Sequence, residues 1–251
     1  MPRYSDDQID EFETNKRDWL ARGSKLTTSF LTHRFKNERA ERFSREGFAR
    51  RLGYLEHIFE RIEEIYPPNC TNADRRVVRD AEVLLQSFTM NVFGALDNLA
   101  WVWALENDLR NAKGSPLGPS EMVFSGRRSK ALRKSLSKEL KNSVDESADW
   151  FDIIGLYRHG VAHQIPLYIP RNLNPKEVRK VEEYRAEINN CIKRGDWRRV
   201  SELNSRIYAL GDFGPYMALC EPHPPMLLHP QMVCDYATVV NLGELILKAL
   251  K

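Results

Sequence analysis

Along most of the chain the apolar positions return every three or four residues, the spacing of one face of an α-helix. The clearest run lies in residues 73–108. There Val77, Ala81, Leu84, Phe88, Val92, Ala95, Leu99 and Val102 predict one long helix with this face in the core. Its second half is apolar nearly all round, so that half is expected inside the fold. Residues 83–105 are long enough to span a bilayer, but Gln86, Asn91, Asp97 and Asn98 interrupt them and favour a buried bundle helix, with no membrane partner.

The same pattern places the other elements. Ser5-Asp6-Asp7-Gln8 resembles a capping box and opens a helix through about residue 22. Residues 23–32 (GSKLTTSFLT) read as a linker. A charged amphipathic helix follows over residues 37–66 and ends at Pro67-Pro68, and Asn72 is placed to cap the long helix. Residues 111–120 (NAKGSPLGPS) form a turn-rich loop, and further helices cover residues 129–142 and 145–164, the second ended by Pro166. Residues 165–170 alternate like a short edge strand, with residues 216–220 as partner. Two charged helices between them, at 175–194 and 196–210, look like an insertion. Residues 221–225 (EPHPP) form a rigid connector, and residues 230–250 a closing helix. The expectation is an all-α fold: an antiparallel four-to-five-helix bundle with an inserted helical hairpin and room for a short β-hairpin. Residues 1–37 would form an N-terminal helix and linker, and residues 38–251 a helical domain with its insertion at about 166–229.

Composition narrows this picture little. With 251 residues, 42% hydrophobic and 29% charged, the chain can bury one large core. A net charge of +3 does not by itself argue for nucleic acid. Local charge argues better: residues 15–51 carry eleven Lys/Arg against four Asp/Glu, and residues 127–141 carry seven against one. Arg127, Arg128 and Lys130 are therefore candidate RNA-binding residues. The bland meaning of both stretches is a solvated helix face. Four scattered cysteines (Cys70, Cys191, Cys220, Cys234) and a polar, acidic N-terminus without an apolar signal core fit a cytoplasmic protein.

The chemistry concentrates at Tyr157-Arg158-His159-Gly160-Val161-Ala162-His163. Five residues on a helix turn about 500°, so Arg158 and His163 lie roughly 140° apart and flank a groove. Next to RNA, His163 could take a proton from a ribose 2′-OH or give one to the leaving 5′-oxygen. Arg158 could hold the phosphate and offset the charge of the transition state. Asp97 and Asn98, polar residues in an apolar helix, are the supporting candidates, as acceptors that orient Arg158 or His163 or as polar groups at the rim of the apolar face. His159 and His163 also share a face at metal-ligand spacing, but a site would need His223 or His229 brought in by the fold, so no metal or other cofactor is expected. The sequence has no Walker loop, GxGxxG, GxSxG or kinase signature. Trp101 and Trp103 read as core aromatics.

On these residues the chain resembles the HEPN (higher eukaryote and prokaryote nucleotide-binding) superfamily, whose signature is Arg, four to six residues, then His, near the end of a helix in an antiparallel four-helix bundle. Arg158, the polar His159 and His163 match it, although asparagine is the commonest residue in the place of His159. Residues 93–100 (FGALDNLA) look like the first core helix of such proteins. One toxin branch carries a tyrosine two residues past the histidine, where this chain has Ile165 and, nearest, Tyr168. The resemblance covers roughly residues 73–165 and the closing helix. It implies a metal-independent endoribonuclease, cleaving single-stranded RNA to a 2′,3′-cyclic phosphate across a homodimer, in phage defence or toxin–antitoxin systems with an antitoxin or defence-system partner. The alternative it leaves open is a non-catalytic helical dimerisation or RNA-binding module.

Overall fold

Ten short and long helices and four two-residue strands are ordered along the computed structural model, which describes residues 4–70, 73–126, 129–219 and 224–250. Asn72, Arg127, Arg128, Cys220 and His223, and most of the connector at 221–225, lie outside the described residues. The first helix, α1, spans Asp6–Thr32. It opens on the expected capping box: the Gln8 N–H donates to the Ser5 hydroxyl (3.3 Å) and the Ser5 N–H to the Gln8 side chain (2.9 Å). It then continues straight through residues 23–32, which are helix and not a linker. Leu26 and Phe30, one turn apart, are buried there. The hydroxyls of Thr28, Ser29 and Thr32 donate to carbonyls four residues back, so these polar residues are satisfied within the helix. Gly23 has a packing role, since a Cβ at that position would overlap the Tyr236 ring and hydroxyl.

Residues 38–65 form one continuous helical run: α2 (Glu38–Arg42), a π-helical segment (Phe43–Ala49) and α3 (Arg50–Ile65). Helix α4 spans Arg75–Glu106, capped by Asp74, whose carboxylate accepts from the N–H groups of Arg76 (2.7 Å) and Val77 (3.0 Å). Its buried face runs through Val78, Ala81, Leu85, Phe88, Val92, Ala95, Leu99 and Val102. Near its start the face is thus shifted by one residue from the expected Val77 and Leu84, which are only partly buried.

The helix expected at 129–142 is two, α5 (Lys130–Ser135) and α6 (Lys138–Glu146), because the Ser137 hydroxyl accepts from the Leu140 N–H and starts a new helix. The motif helix α7 spans Ala148–His163. The extended segments pair as Tyr168 with Ala218, β1 (Arg171–Asn172) with β2 (Asp212–Phe213), and β3 (Tyr216–Met217) with β4 (Met226–Leu227), all antiparallel. Helices α8 (Pro175–Arg194) and α9 (Trp197–Tyr208) pack on each other, and α10 (Leu228–Ala249) closes the fold.

The fold is all-α, as expected. Helices α4 and α10 are its centre: α3 and α7 pack on α4, and α1 and α6 on α10. One apolar core runs through all of these, and it includes Phe12, Leu26 and Phe30 of α1. The buried residues of the α8–α9 hairpin (Val181, Cys191, Leu203, Ile207) lie outside that core, as an insertion requires. Among the described residues, no helix is long and apolar enough to cross a membrane.

Candidate functional site

Helix α7 is fixed by the face it buries. Phe151, Ile154, Tyr157 and Gly160 recur every three residues and point into the fold. Two polar anchors set its pitch against α10: the Trp150 indole N–H donates to Asp235 (2.8 Å), and the Tyr157 hydroxyl contacts the Met226 sulfur just before α10. The Asp235 carboxylate also accepts from Gln231 (2.7 Å). Gly160 lets the chain fold back closely after the helix, because a Cβ there would sit 2.9 Å from the Leu219 side chain and 3.2 Å from the Ile165 carbonyl.

With that face buried, the opposite stripe of α7 is open: Asp152, Leu156, His159 and His163 are all exposed. Their spacing of four, three and four residues puts the two histidines on one line, and their rings lie 5.3 Å apart at a 58° tilt. Arg158 turns instead toward α4, with its guanidinium carbon 5.2 Å from the centre of the Phe93 ring. The motif is therefore split between two aspects of one helix, as its roughly 140° separation predicts.

Between α4, residues 123–125 and α7 lies a cavity of about 600 Å³. Its walls are mainly apolar, with Phe93, Phe124, Phe151 and Leu156 prominent, and Asp97, Asp152 and His159 are its ionisable groups. His159 lines it. His163, one turn further on, does not. Burial pushes the Asp97 carboxyl up to about 6, with the Arg158 and then the Arg51 guanidinium pulling it back. Asp97 is thus a carboxylate in the wall of an apolar cavity, electrostatically coupled to the motif arginine.

Asn98 does not join this group. Its side-chain oxygen accepts from Arg51 Nε (3.1 Å), while Arg51 Nη1 donates to Asn91 (3.0 Å), so Asn98 serves the α3 side of α4. Arg51 and the wall at 123–125 had no signal in the sequence beyond a basic stretch and an apolar run, and Phe93 entered only as the start of the 93–100 segment. Only the i, i+4 relation of Phe93 to Asp97 linked any of them to the motif. His229, one of the two histidines considered as a third metal ligand, is in the core instead: Nε2 meets the Tyr66 carbonyl (2.8 Å), the ring packs against Phe12, and burial pushes it down to about 4. Among the described residues no group of three metal-ligating side chains converges.

Part of each basic stretch is paired with neighbouring carboxylates. In residues 15–51, Lys16 pairs with Glu13 and Glu63, Arg22 with Glu244, Arg42 with Glu46 and Arg45 with Glu41. In the second stretch, Arg133 and Lys141 both pair with Asp145, whereas Lys130 is exposed at the start of α5. Comparison of the chain with protein-family models, with curated proteins and with solved structures finds no match.

Proposed function

We propose that this protein is a HEPN-like, metal-independent endoribonuclease acting on single-stranded RNA. The observation that carries the reading is the pair of exposed imidazoles, His159 and His163, 5.3 Å apart on the same helix as Arg158, with His159 in the wall of an apolar, aromatic-lined cavity. In this reading His163 removes the ribose 2′-OH proton, the oxygen attacks the adjacent phosphorus, and a second imidazole protonates the leaving 5′-oxygen. The products are a 2′,3′-cyclic phosphate and a 5′-hydroxyl. Arg158 holds the non-bridging oxygens as charge builds on them.

The second imidazole has two sources. His159 supplies it within one chain; a homodimer about α7 supplies it from a second copy's His163. The exposed apolar side chains beside the histidines, Leu156 (43%) and Ile165 (56%), suit such a dimer. They also favour the second reading, a non-catalytic dimerisation or RNA-binding module. By the resemblance, the setting would be cytoplasmic phage defence or toxin–antitoxin control, with an antitoxin or defence-system partner.

The Arg158 series tests this function. Wild type should cut unstructured RNA in EDTA. Arg158→Ala should slow the cut about hundredfold or more, on the order of other losses of transition-state charge stabilisation. Arg158→Lys should not restore it, because a point charge lacks the guanidinium fork. Absence of cleavage by a folded, dimeric wild-type protein would decide for the module. Cleavage that EDTA stops would contradict the metal-independent mechanism.

A further inference from the structure

At the opposite end of α4 from Asp97, where the α8–α9 hairpin joins the bundle, arginines and aromatic rings converge around a second cavity, of about 340 Å³. Arg75 and Arg79 enter it from one face of α4, one helical turn apart; Arg171 enters from β1, and Tyr168, Tyr208 and Phe213 complete the wall. The Arg75 guanidinium carbon sits 3.6 Å from the centre of the Tyr208 ring, and that of Arg171 5.2 Å from the same ring. Tyr168 and Tyr208 remain 37% and 41% exposed.

Charge is what makes this cluster unusual. Elsewhere in the fold Arg22, Arg42, Arg45 and Arg133 are each neutralised by a carboxylate. Among the described residues, Arg75, Arg79 and Arg171 form no ion pair, and neither does Arg185, which is close enough to act on Arg171. Burial, then repulsion from Arg75 and Arg185, holds the Arg171 guanidinium below its usual range. Glu82 is the carboxylate that lines the cavity, and one of its oxygens accepts from the Ile169 N–H (3.0 Å). Arg171 has a structural duty as well, donating to the Ile207 and Leu210 carbonyls at the end of α9. That duty accounts for Arg171, and the Tyr208 ring holds Arg75 in place without neutralising it, which leaves Arg75 and Arg79 without an anionic partner among the described residues. An anion set between them would relieve the repulsion, and Tyr168, which among the described residues carries no guanidinium on its ring, stands partly exposed beside it.

We propose that this pocket seats single-stranded nucleic acid, with Arg75, Arg79 and Arg171 on successive phosphodiesters and the Tyr168 ring against a base. A positively charged track interleaved with aromatic side chains is the general means by which strands are held without sequence preference. The seat is separate from the Arg158 cavity and does not depend on cleavage there.

The test measures binding of a labelled oligouridylate by fluorescence anisotropy across a salt titration. It uses the full chain in a His163→Ala background, so that no probe is consumed and the outcome is independent of the cleavage assay. Arg79 is exposed and makes no hydrogen bond or ion pair among the described residues, so Arg79→Glu is expected to leave the fold intact, as a thermal melt will verify. It should weaken binding about tenfold or more and flatten the salt dependence by about 0.7 in slope for each phosphate lost. Tyr168→Ala should weaken binding about tenfold by removing a stacking surface. Unchanged affinity in both folded variants would overturn the proposal. So would uridine monophosphate binding as tightly as the oligonucleotide, which would make the pocket a seat for a free nucleotide and not for a strand.

Discussion

Asp235 and Asp97 are both carboxyls set into apolar surroundings, and the fold treats them differently. Asp235 is fully buried and holds two helices together through Trp150 and Gln231. Burial pushes it up to about 7, against about 3.9 in an unfolded chain. The native state therefore binds its proton more tightly than the unfolded state does. Its contribution to stability is present in full at acid pH, falls as pH rises between about 4 and 7, and is lost above that range. Asp235→Asn should abolish this slope. Denaturant melts of the two proteins from pH 4 to 8 should show the Asn variant gaining on wild type as pH rises, by on the order of a few kcal/mol. Parallel stability curves would contradict the assignment. Asp97, by contrast, has no hydrogen-bond partner among the described residues and opens onto the cavity beside Arg158. At the residue scale the sequence showed that Asp97 was out of place in an apolar helix, and it placed Arg158 and His163 on one helix but on two aspects of it. It could not show that Asn98 belongs elsewhere, since adjacent residues on a helix point about 100° apart and only the position of Arg51 decides which side each serves. The face of α4 was ambiguous for a similar reason. Val77-Val78 and Leu84-Leu85 are apolar pairs, and periodicity alone cannot choose the buried member of each.

Among the elements, α1 differs most from its expectation. Its second half is rich in Gly, Ser and Thr, residues that composition assigns to loops. Two features absent from a composition argument make it helical: hydroxyls that bond back along the helix, and Leu26 and Phe30 one turn apart on the face that meets the core. Phe30 is fully buried with its ring 4.7 Å from that of Phe48 in the π-helical segment. Phe30→Ala should therefore destabilise the protein by about 3–5 kcal/mol, with a single cooperative unfolding transition. A loss below about 1 kcal/mol, or a separate early transition for residues 1–37, would make α1 an appendage. The hairpin was more legible. Its helices carry charge on half the positions of α8 and a third of those of α9, with clear caps, and Asn174 and Asp196 cap them in the structure. Its role was not legible, because Arg75, Arg79, Arg171 and Tyr208 come from three separate stretches of sequence and meet only in the fold.

For the whole molecule, the proposed function puts a reactive edge on an all-α bundle. Helix α4 carries the Asp97 end of the cavity at one end and the arginine–tyrosine pocket at the other, so both proposed RNA contacts lie along a single helix. That arrangement depends on His163 being a chemical group and not a surface residue. His163 is exposed, lines no cavity and touches only His159 among the contacts described, so its replacement should leave folding intact. The most direct measurement is single-turnover cleavage of unstructured RNA in EDTA by wild type and His163→Ala, with thermal melting alongside. The account predicts equal melting temperatures, 2′,3′-cyclic phosphate products from wild type, and a rate lowered by about a hundredfold or more in the variant. Equal cleavage rates in the two folded proteins would contradict it.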